Sequence, residues 1–394
     1  MKTVEHQKIL ITVSGPDKPG ITSALMQIVS KYHSRVYDMG QSVTHGLLSL
    51  SILLGIETSE DDGAILKDLL FEAKKLGLSL DFQIIENDYK KPEHFHRHVL
   101  SCVAPDLLTS AFIAELATAL AKHKINILRI DGLTPDFNSV EITTSSAEGT
   151  PWNDVKEDVL AISNRHKIDV AIMKDNVYRR NKRLIVFDMD STLIQIEVID
   201  EMAKLFGKAD QITKITERAM NGEMDFKQSL IKRVELLKGL MVSDLSPLID
   251  NLPLTLGVPE FISTVKKLGF KVGLISGGFT LFSNKLKETL NLDYAFANEL
   301  EIKNGCLTGK LVGPIIDAEQ KATIMNLMAQ QENISLEQVV AVGDGANDLP
   351  MLSRAGLGIA FHAKEMVKRK SDHNLSHGPM TSILYFLGIP GSQN

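Results

Sequence analysis

Cysteine is nearly absent: the 394 residues hold two, Cys102 and Cys306, far apart and in no metal or redox spacing. A thiolate metal centre and a redox pair are thereby excluded, and a reducing compartment suits the two thiols. Long apolar runs are missing as well. The longest candidate, Gly46 to Ile56, is broken by serines and reads as a strand, far short of a bilayer span. The amino-terminal MKTVEHQKILITV has no apolar stretch followed by a small-residue cleavage site. The expectation is a cytoplasmic protein without a secretion signal or a membrane partner. Nor is positive charge in excess. The 43 Lys and Arg stand against 49 Asp and Glu, a net charge of -6 that speaks against a nucleic-acid partner, because phosphate backbones need clustered basic residues. What is present is ordinary for a soluble globular chain, 44% apolar and 23% charged. The length suffices for two or three domains, each with its own core.

The first half repeats itself. Strand patterns at Lys8 to Val13, Arg35 to Val43, Leu47 to Gly55 and Leu78 to Ile85 interleave with helical patterns at Ile21 to Tyr32 and Ala64 to Lys75. The same βαββαβ order recurs about ninety residues on. Its strands are His98 to Val103, Ile125 to Gly132, Ser139 to Thr144 and Asp169 to Met173, and its helices Ser110 to Lys122 and Trp152 to Asn164. This is the ferredoxin-like arrangement, a four-stranded antiparallel sheet with two helices on one face. Two polar, turn-rich stretches, Asn87 to His98 and Lys174 to Lys182, read as linkers. His94, His96 and His98 alternate within the first, and solvated histidines fit a linker better than metal ligands do.

From about Leu184 strands and helices alternate, which predicts a parallel α/β sheet of Rossmann-like type. Its strands are short continuous apolar runs, Leu184 to Phe187, Lys271 to Ile275, Val339 to Val342 and Gly358 to Ala360, as expected when helices cover both faces. A strongly helical insert from Val198 to about Leu252 follows the first strand and reads as a cap over a crevice. The expected domains are 1–88, 96–176 and 182–394, with the cap at about 197–254.

Ligands in such sheets bind beyond the carboxyl ends of the strands. There the chain carries Asp188, Asp190, Ser191 and Thr192 after the first strand, and Ser276, Gly277 and Gly278 after the second. Asp344, Asn347 and Asp348 follow the third, and Lys321 lies in the preceding helix. Carboxylates this crowded cannot all ionise unaided, and a hard divalent cation such as Mg²⁺ is the natural compensation. With Lys321 and a Gly-Ser turn able to face an anion, the set describes a phosphoryl site. Asp188 at the strand tip is the candidate nucleophile, forming an aspartyl-phosphate. Asp190, two residues on and projecting to the same side, is the candidate general acid and base.

The motifs DMDST, SGG, Lys321 and GDGANDLPML together resemble the four signatures of the haloacid-dehalogenase-like phosphotransferases. By that resemblance Asp188 and Asp344 bind Mg²⁺ through their side chains and Asp190 through its main-chain carbonyl. Asp348 is implied as an outlying or additional metal-site carboxylate, and Asn347 as a contact to substrate or phosphate. The stretches DMDSTLIQIEVIDEMAKLFG and TERAMNGEMDFKQSLIKRVELLKG resemble the phosphoserine phosphatases of that superfamily. The resemblance implies hydrolysis of O-phospho-L-serine to L-serine and phosphate, the last step of serine biosynthesis. Glu197 would face the substrate ammonium, Arg233 would clamp its carboxylate, and Phe226 would close the pocket, with Met220 a weaker candidate. A small zwitterion needs one anionic and one cationic contact beyond its phosphate, and a helical cap supplies both while excluding water.

The two βαββαβ units resemble ACT domains, which commonly bind amino acids and pair their sheets. In the first, GPDKPG, with Gly15, Asp17 and Gly20, occupies the loop where such domains often take a ligand. The second has APDLLTS there, keeping Pro105 and Asp106 but losing the Lys-Pro-Gly, which weighs against equal binding by both. The implied partners are a small-molecule substrate, an L-serine effector and a second copy of the chain in a homodimer. Two other readings compete: a phosphatase for another small phosphomonoester, and an amino-acid sensor whose phosphatase half is vestigial.

Overall fold

A computed structural model of the chain describes residues 6–32, 34–57, 62–85, 95–220 and 222–390. Two compact units are present, Met1–Glu93 and His94–Asn394.

In the first unit, β1 (His6–Pro16), α1 (Ile21–Lys31), β2 (Arg35–Thr44), β3 (Leu47–Glu57), α2 (Asp62–Lys75) and β4 (Ser79–Ile85) follow the expected order. The strands form an antiparallel sheet in the order β2-β3-β1-β4. Alternation explains the packing: Ile9, Ile11 and Val13 of β1 and Leu48, Leu50, Ile52 and Leu54 of β3 are buried in one core with Ile21 and Leu25 of α1. The loop from Gly15 to Gly20 is largely exposed. Gly20 caps α1 at φ 96°, a left-handed conformation that costs glycine nothing.

The second unit opens with the same motif: β5 (Phe95–Val103), α3 (Ser110–Lys122), β6 (Asn126–Gly132), β7 (Ser139–Ala147), α4 (Trp152–His166) and β8 (Asp169–Lys174). Its sheet order, β6-β7-β5-β8, matches that of the first. Cys102 lies in this core, where burial pushes its thiol up to about 12 and makes it unreactive.

The remainder runs β9 (Leu184–Phe187), α5 (Val198–Leu205), α6 (Ala209–Met220), α7 (Phe226–Glu235), α8 (Val242–Asp250), α9 (Val258–Lys267), β10 (Lys271–Phe279) and α10 (Thr280–Leu290). It continues with β11 (Tyr294–Lys303), β12 (Cys306–Val312), α11 (Ala318–Gln331), β13 (Val339–Gly343), α12 (Leu349–Arg354), β14 (Leu357–Phe361), α13 (Glu365–Lys370), β15 (His373–Leu375) and α14 (Ile383–Phe386). Seven strands make one sheet, β12-β11-β10-β9-β13-β14-β15, parallel except for the β11–β12 hairpin. The central strand shows why. Ile185 and Phe187 enter one hydrophobic core while Leu184 and Val186 enter another, so the sheet is covered on both faces. Each such side chain contributes roughly 1.5–3 kcal/mol on burial, and a one-residue slip would exchange the two faces. The register that delivers Asp188 to the strand tip is thereby fixed.

The cap, α5 to α8, leaves and rejoins the core on paired stalks. Gln195 N–H donates to Pro253 O at 2.9 Å, and Thr255 N–H to Leu193 O at 2.9 Å. Its far end is bonded to the β11–β12 hairpin: Gly239 N–H donates to Leu307 O at 2.8 Å and Leu307 N–H to Leu240 O at 2.9 Å. The hairpin, which the apolar pattern did not disclose, thus serves as a prop for the cap.

Two expectations about the polar stretches need correction. His98 is no solvated linker residue. It sits in β5, 8% exposed, with its ring 3.7 Å from that of Trp152, and burial pushes its pKa down to about 4. His96 is exposed, and His94 lies outside the described residues. The stretch from Lys174 to Lys182 packs against the fold through Asp175, Arg179 and Arg180, whose side chains are paired there. Arg179 donates to both carboxylate oxygens of Glu141 on β7, at 2.6 and 3.3 Å, and both residues are buried. Beside it, Asp169 accepts the backbone N–H groups of Ser376, His377 and Gly378 at 2.7, 3.0 and 3.2 Å. The second ACT-like motif and the larger sheet are therefore bonded together within the unit.

Candidate active site

The carboxyl ends of β9, β10 and β13 converge under the cap. Asp188 continues β9, its N–H donating to Val342 O at 2.9 Å. Its Oδ1 accepts from Met189 N–H at 2.7 Å and from Lys321 Nζ at 2.8 Å. Lys321, 1% exposed, comes from the first turn of α11 and also donates to Asp348 Oδ1 at 2.8 Å. The other oxygen of Asp348 accepts Gly345 N–H at 3.0 Å. Thr192 Oγ1 donates to Asp344 Oδ1 at 3.2 Å. Asp188, Asp344 and Asp348 bring one oxygen each to within 4.8 Å of one another.

Beyond Asp188 the chain turns sharply. Met189 packs into the core, Asp190 is extended, and Ser191 is left-handed at φ 57°. Asp190 Oδ1 accepts Val198 N–H, the start of α5, at 3.2 Å. Its side chain stands outside the cluster of three carboxylates.

The charges explain themselves by burial. Asp188 is pushed up to about 8 by desolvation and by the Asp348 charge, against the pull of Lys321. Asp190 is held well above the usual carboxylate range by burial and then by Glu197 and Asp188. Asp344 rises to about 6 through burial, Asp348 and Glu197. Burial opposes the Lys321 charge, but Asp188 and Asp348 outweigh it and hold the ammonium firmly protonated. Three buried or half-buried carboxylates with hard oxygen donors and one lysine fit a divalent cation, and carboxylate oxygens are what such a cation takes.

The phosphate-type turn and the cap meet above this floor. Ser276 Oγ accepts Gly278 N–H at 2.8 Å. A Cβ at Gly278 would stand 2.6 Å from Met189 Cε and 3.0 Å from Asp190 Oδ2, so a larger residue there would have to displace both side chains. Gly277 lies beneath Phe226, whose Cζ would be 3.1 Å from a Cβ there. From the cap side, Glu197 Oε1 accepts from Ser191 Oγ at 3.0 Å. Arg233 projects from α7, where burial pulls its guanidinium below the usual range and the charges of Asp200, Glu197 and Asp190 make up only part of that, and its Nε is buried without a partner. Asn347 packs over Gly345, half-buried. Met220 falls outside the residues whose side chains are described.

Several supporting groups escaped the sequence reading. Asn298 donates to Gly277 O and accepts Ile316 N–H, both at 2.8 Å, and so fixes the SGG turn. Nothing in the sequence marks it. Asp317 caps α11 by accepting Gln320 N–H at 2.9 Å and pairs with Lys227 of the cap at 2.8 Å. Its place directly before a helical run was a legible cap signal.

A model of the haloacid dehalogenase-like hydrolases matches residues 182–356, and one of the ACT domain matches residues 7–83. The phosphoserine phosphatase SerB2 of Mycobacterium tuberculosis is 37% identical over 97% of this chain and 93% of its own. The chain belongs to the phosphoserine phosphatase family. Among solved structures, a probable phosphoserine phosphatase from Vibrio cholerae in unliganded form aligns with TM-score 0.59 and 38% identity, over 75% of this chain and 87% of that one. A phospho-aspartyl intermediate analogue of a phosphoserine phosphatase aligns with TM-score 0.50 and 45% identity, over 52% of this chain and 99% of that one. The family is one of phosphatases built on the haloacid dehalogenase-like fold, and here the enzyme half follows two ACT-like motifs. Among the described residues no helix is long and apolar enough to cross a membrane.

Proposed function

We propose that the chain hydrolyses O-phospho-L-serine to L-serine and phosphate, with Mg²⁺ as its metal and Asp188 as its nucleophile. The observation that carries this reading is a buried Asp188 paired to Lys321, beneath a cap that brings Glu197 and Arg233 toward the same crevice. Asp188 and Asp344 would hold the cation through their carboxylates and Asp190 through its main-chain carbonyl, with Asp348 anchoring Lys321 beside them. When bound, the cation offsets the repulsion between an anionic nucleophile and an anionic phosphate.

The residues divide the work. An Asp188 oxygen attacks phosphorus while Lys321 holds the carboxylate in place. The serine alkoxide departs with a proton from Asp190, whose pKa burial and the neighbouring Glu197 and Asp188 charges hold well above the usual carboxylate range. Asp190, now ionised, takes a proton from water, and the resulting hydroxide attacks phosphorus, breaking its bond to the Asp188 oxygen so that inorganic phosphate leaves and the Asp188 carboxylate is restored. Ser276, Gly277 and Asn347 would contact the phosphate. Glu197 would receive the ammonium, Arg233 the carboxylate, and Phe226 would close the pocket over Gly277.

The domain limits proposed are 1–88 and 96–176 for the ACT-like pair and 182–394 for the phosphatase, with the cap at about 197–254. A cytoplasmic homodimer, paired through the ACT-like sheets and responding to L-serine at the Gly15, Asp17 and Gly20 loop, completes the reading. The intact acid, lysine and turn set argues against a vestigial phosphatase half. The test is Arg233→Ala assayed on two substrates. The expected result is a loss of about a hundredfold or more in kcat/KM on phosphoserine and little on an aryl phosphate lacking a carboxylate. Equal losses on both would remove the carboxylate clamp from the scheme.

A further inference from the structure

At the end of the large sheet opposite the carboxylates, a cavity of about 280 Å³ lies against the second ACT-like motif. Lys182, Glu337, Gly356 and Asp372 line it, and each stands just before a strand: β9, β13, β14 and β15. Across from them are His98, Trp152, Lys156 and Lys174 of the ACT-like motif. A more open hollow of about 500 Å³ shares His98, Trp152 and Lys174 with it.

The polar groups here are unevenly matched. Lys156 pairs with Asp372, and Arg179 with Glu141. Lys182, 7% exposed, has as its hydrogen-bond partner the backbone carbonyl of Glu337, at 2.6 Å. An ammonium has three donors, so two are unused. The Glu337 carboxylate is felt through space but lies beyond ion-pair reach, and burial pushes the Lys182 ammonium down to about 8. Lys174 makes no ion pair among the described residues. His98 and His373, 8% and 6% exposed, each keep a buried Nδ1 without a hydrogen-bond partner. A desolvated ammonium with donors left over is costly unless an anion completes it.

We propose that this cavity binds a small multivalent oxyanion, carried on a phosphorylated or dicarboxylic metabolite, between the second ACT-like motif and the amino ends of the catalytic strands. Its volume lies near the lower end of small-molecule pockets, which suits a metabolite of that size. Lys182 and Lys174 supply the charge, and the rings of His98 and Trp152 wall the cavity on the side of the ACT-like motif. A ligand held there bridges the regulatory and catalytic halves at the root of β9, whose other end bears Asp188.

The single tryptophan of the chain, Trp152, lines the cavity and gives a direct readout. The experiment titrates the full-length, Mg²⁺-loaded protein with sodium sulfate and with sodium succinate, against sodium chloride at matched ionic strength, following Trp152 fluorescence. A saturable change with at least one dianion and none with chloride is expected. Sulfate alone points to a phosphate group, succinate alone to a dicarboxylate. Lys174→Ala and Lys182→Met should each weaken the binding about tenfold or more, since each removes a charge-assisted contact. Lys174 is exposed, so its variant decides the matter if Lys182→Met does not fold. An equal response to chloride, no saturable response to either dianion, or wild-type affinity in the folded variants would overturn the proposal.

Discussion

Asp344 allows the electrostatics of the site to be tested without any substrate. Its carboxyl is raised from 3.8 to about 6, chiefly by burial and by Asp348. A folded-state pKa above the unfolded value means that the native state holds the extra proton between the two. Metal-free stability must therefore fall as pH rises from about 4 through about 6. Two pH units at about 1.4 kcal/mol each give about 3 kcal/mol of destabilisation at pH 7.5. Asp344→Asn removes the charge but keeps an Oδ1 to accept from Thr192. Part of the gain is shared with the proton equilibria of Asp188 and Asp348, so the metal-free variant should melt on the order of 5 °C higher than wild type. Trp152 fluorescence reports this transition, because the residue lies in the His94–Asn394 unit. The difference should shrink to about a third at pH 4.5 and vanish only near pH 3, below the unfolded pKa. Saturating Mg²⁺ should reverse the order, since a ligand at a hundred times its Kd adds about 2.7 kcal/mol to the form that binds it. A variant less stable than wild type in EDTA at pH 7.5, or a gain as large at pH 4.5 as at pH 7.5, would refute the reasoning.

Other perturbations test other joints. Lys227→Ala breaks the solvent-exposed cap–core pair with Asp317 at 2.8 Å. It should raise KM up to about fivefold with little change in kcat, and an unchanged KM would show that the cap does not depend on this pair. Gly278→Ala forces a Cβ to 3.0 Å from Asp190 Oδ2 and should lower kcat by about a hundredfold in a protein of unaltered circular dichroism; wild-type turnover would mean that the turn has room. Arg179→Met leaves Glu141 buried with only Arg180 at 2.9 Å. Urea denaturation followed at Trp152 should show a loss of about 3 kcal/mol, and a loss below about 1 kcal/mol would mean that the junction does not rest on this pair.

The sequence disclosed most where one physical pattern ran unopposed. Leu184 to Phe187 had to be a doubly buried strand, and the alternation of β1, β3, β5 and β7 made both ACT-like sheets legible. DMDST, SGG and GDGAND stood out because turns beside an anion need small residues and carboxylates at fixed places. What stayed hidden depended on distant partners. The β11–β12 hairpin carries a mixed pattern because it is half-exposed and props the cap. Lys174 to Lys182 looked like a linker because Arg179 and Lys182 are polar, and only the fold brings Glu141 and the Glu337 carbonyl to them. The partnership of Asn298 with Gly277 and Ile316 spans about twenty residues on either side, so no local signal exists.

The central claim is that Asp188 carries phosphate during a metal-dependent hydrolysis of phosphoserine. The most direct measurement is phosphate release from O-phospho-L-serine by the purified chain, with Mg²⁺ and with EDTA, for wild type and Asp188→Asn. The account predicts release by wild type with Mg²⁺, its loss in EDTA, and no detectable turnover by Asp188→Asn under either condition. Asp188→Asn turning over at the wild-type rate, or wild type releasing nothing from phosphoserine with Mg²⁺ present, would contradict it.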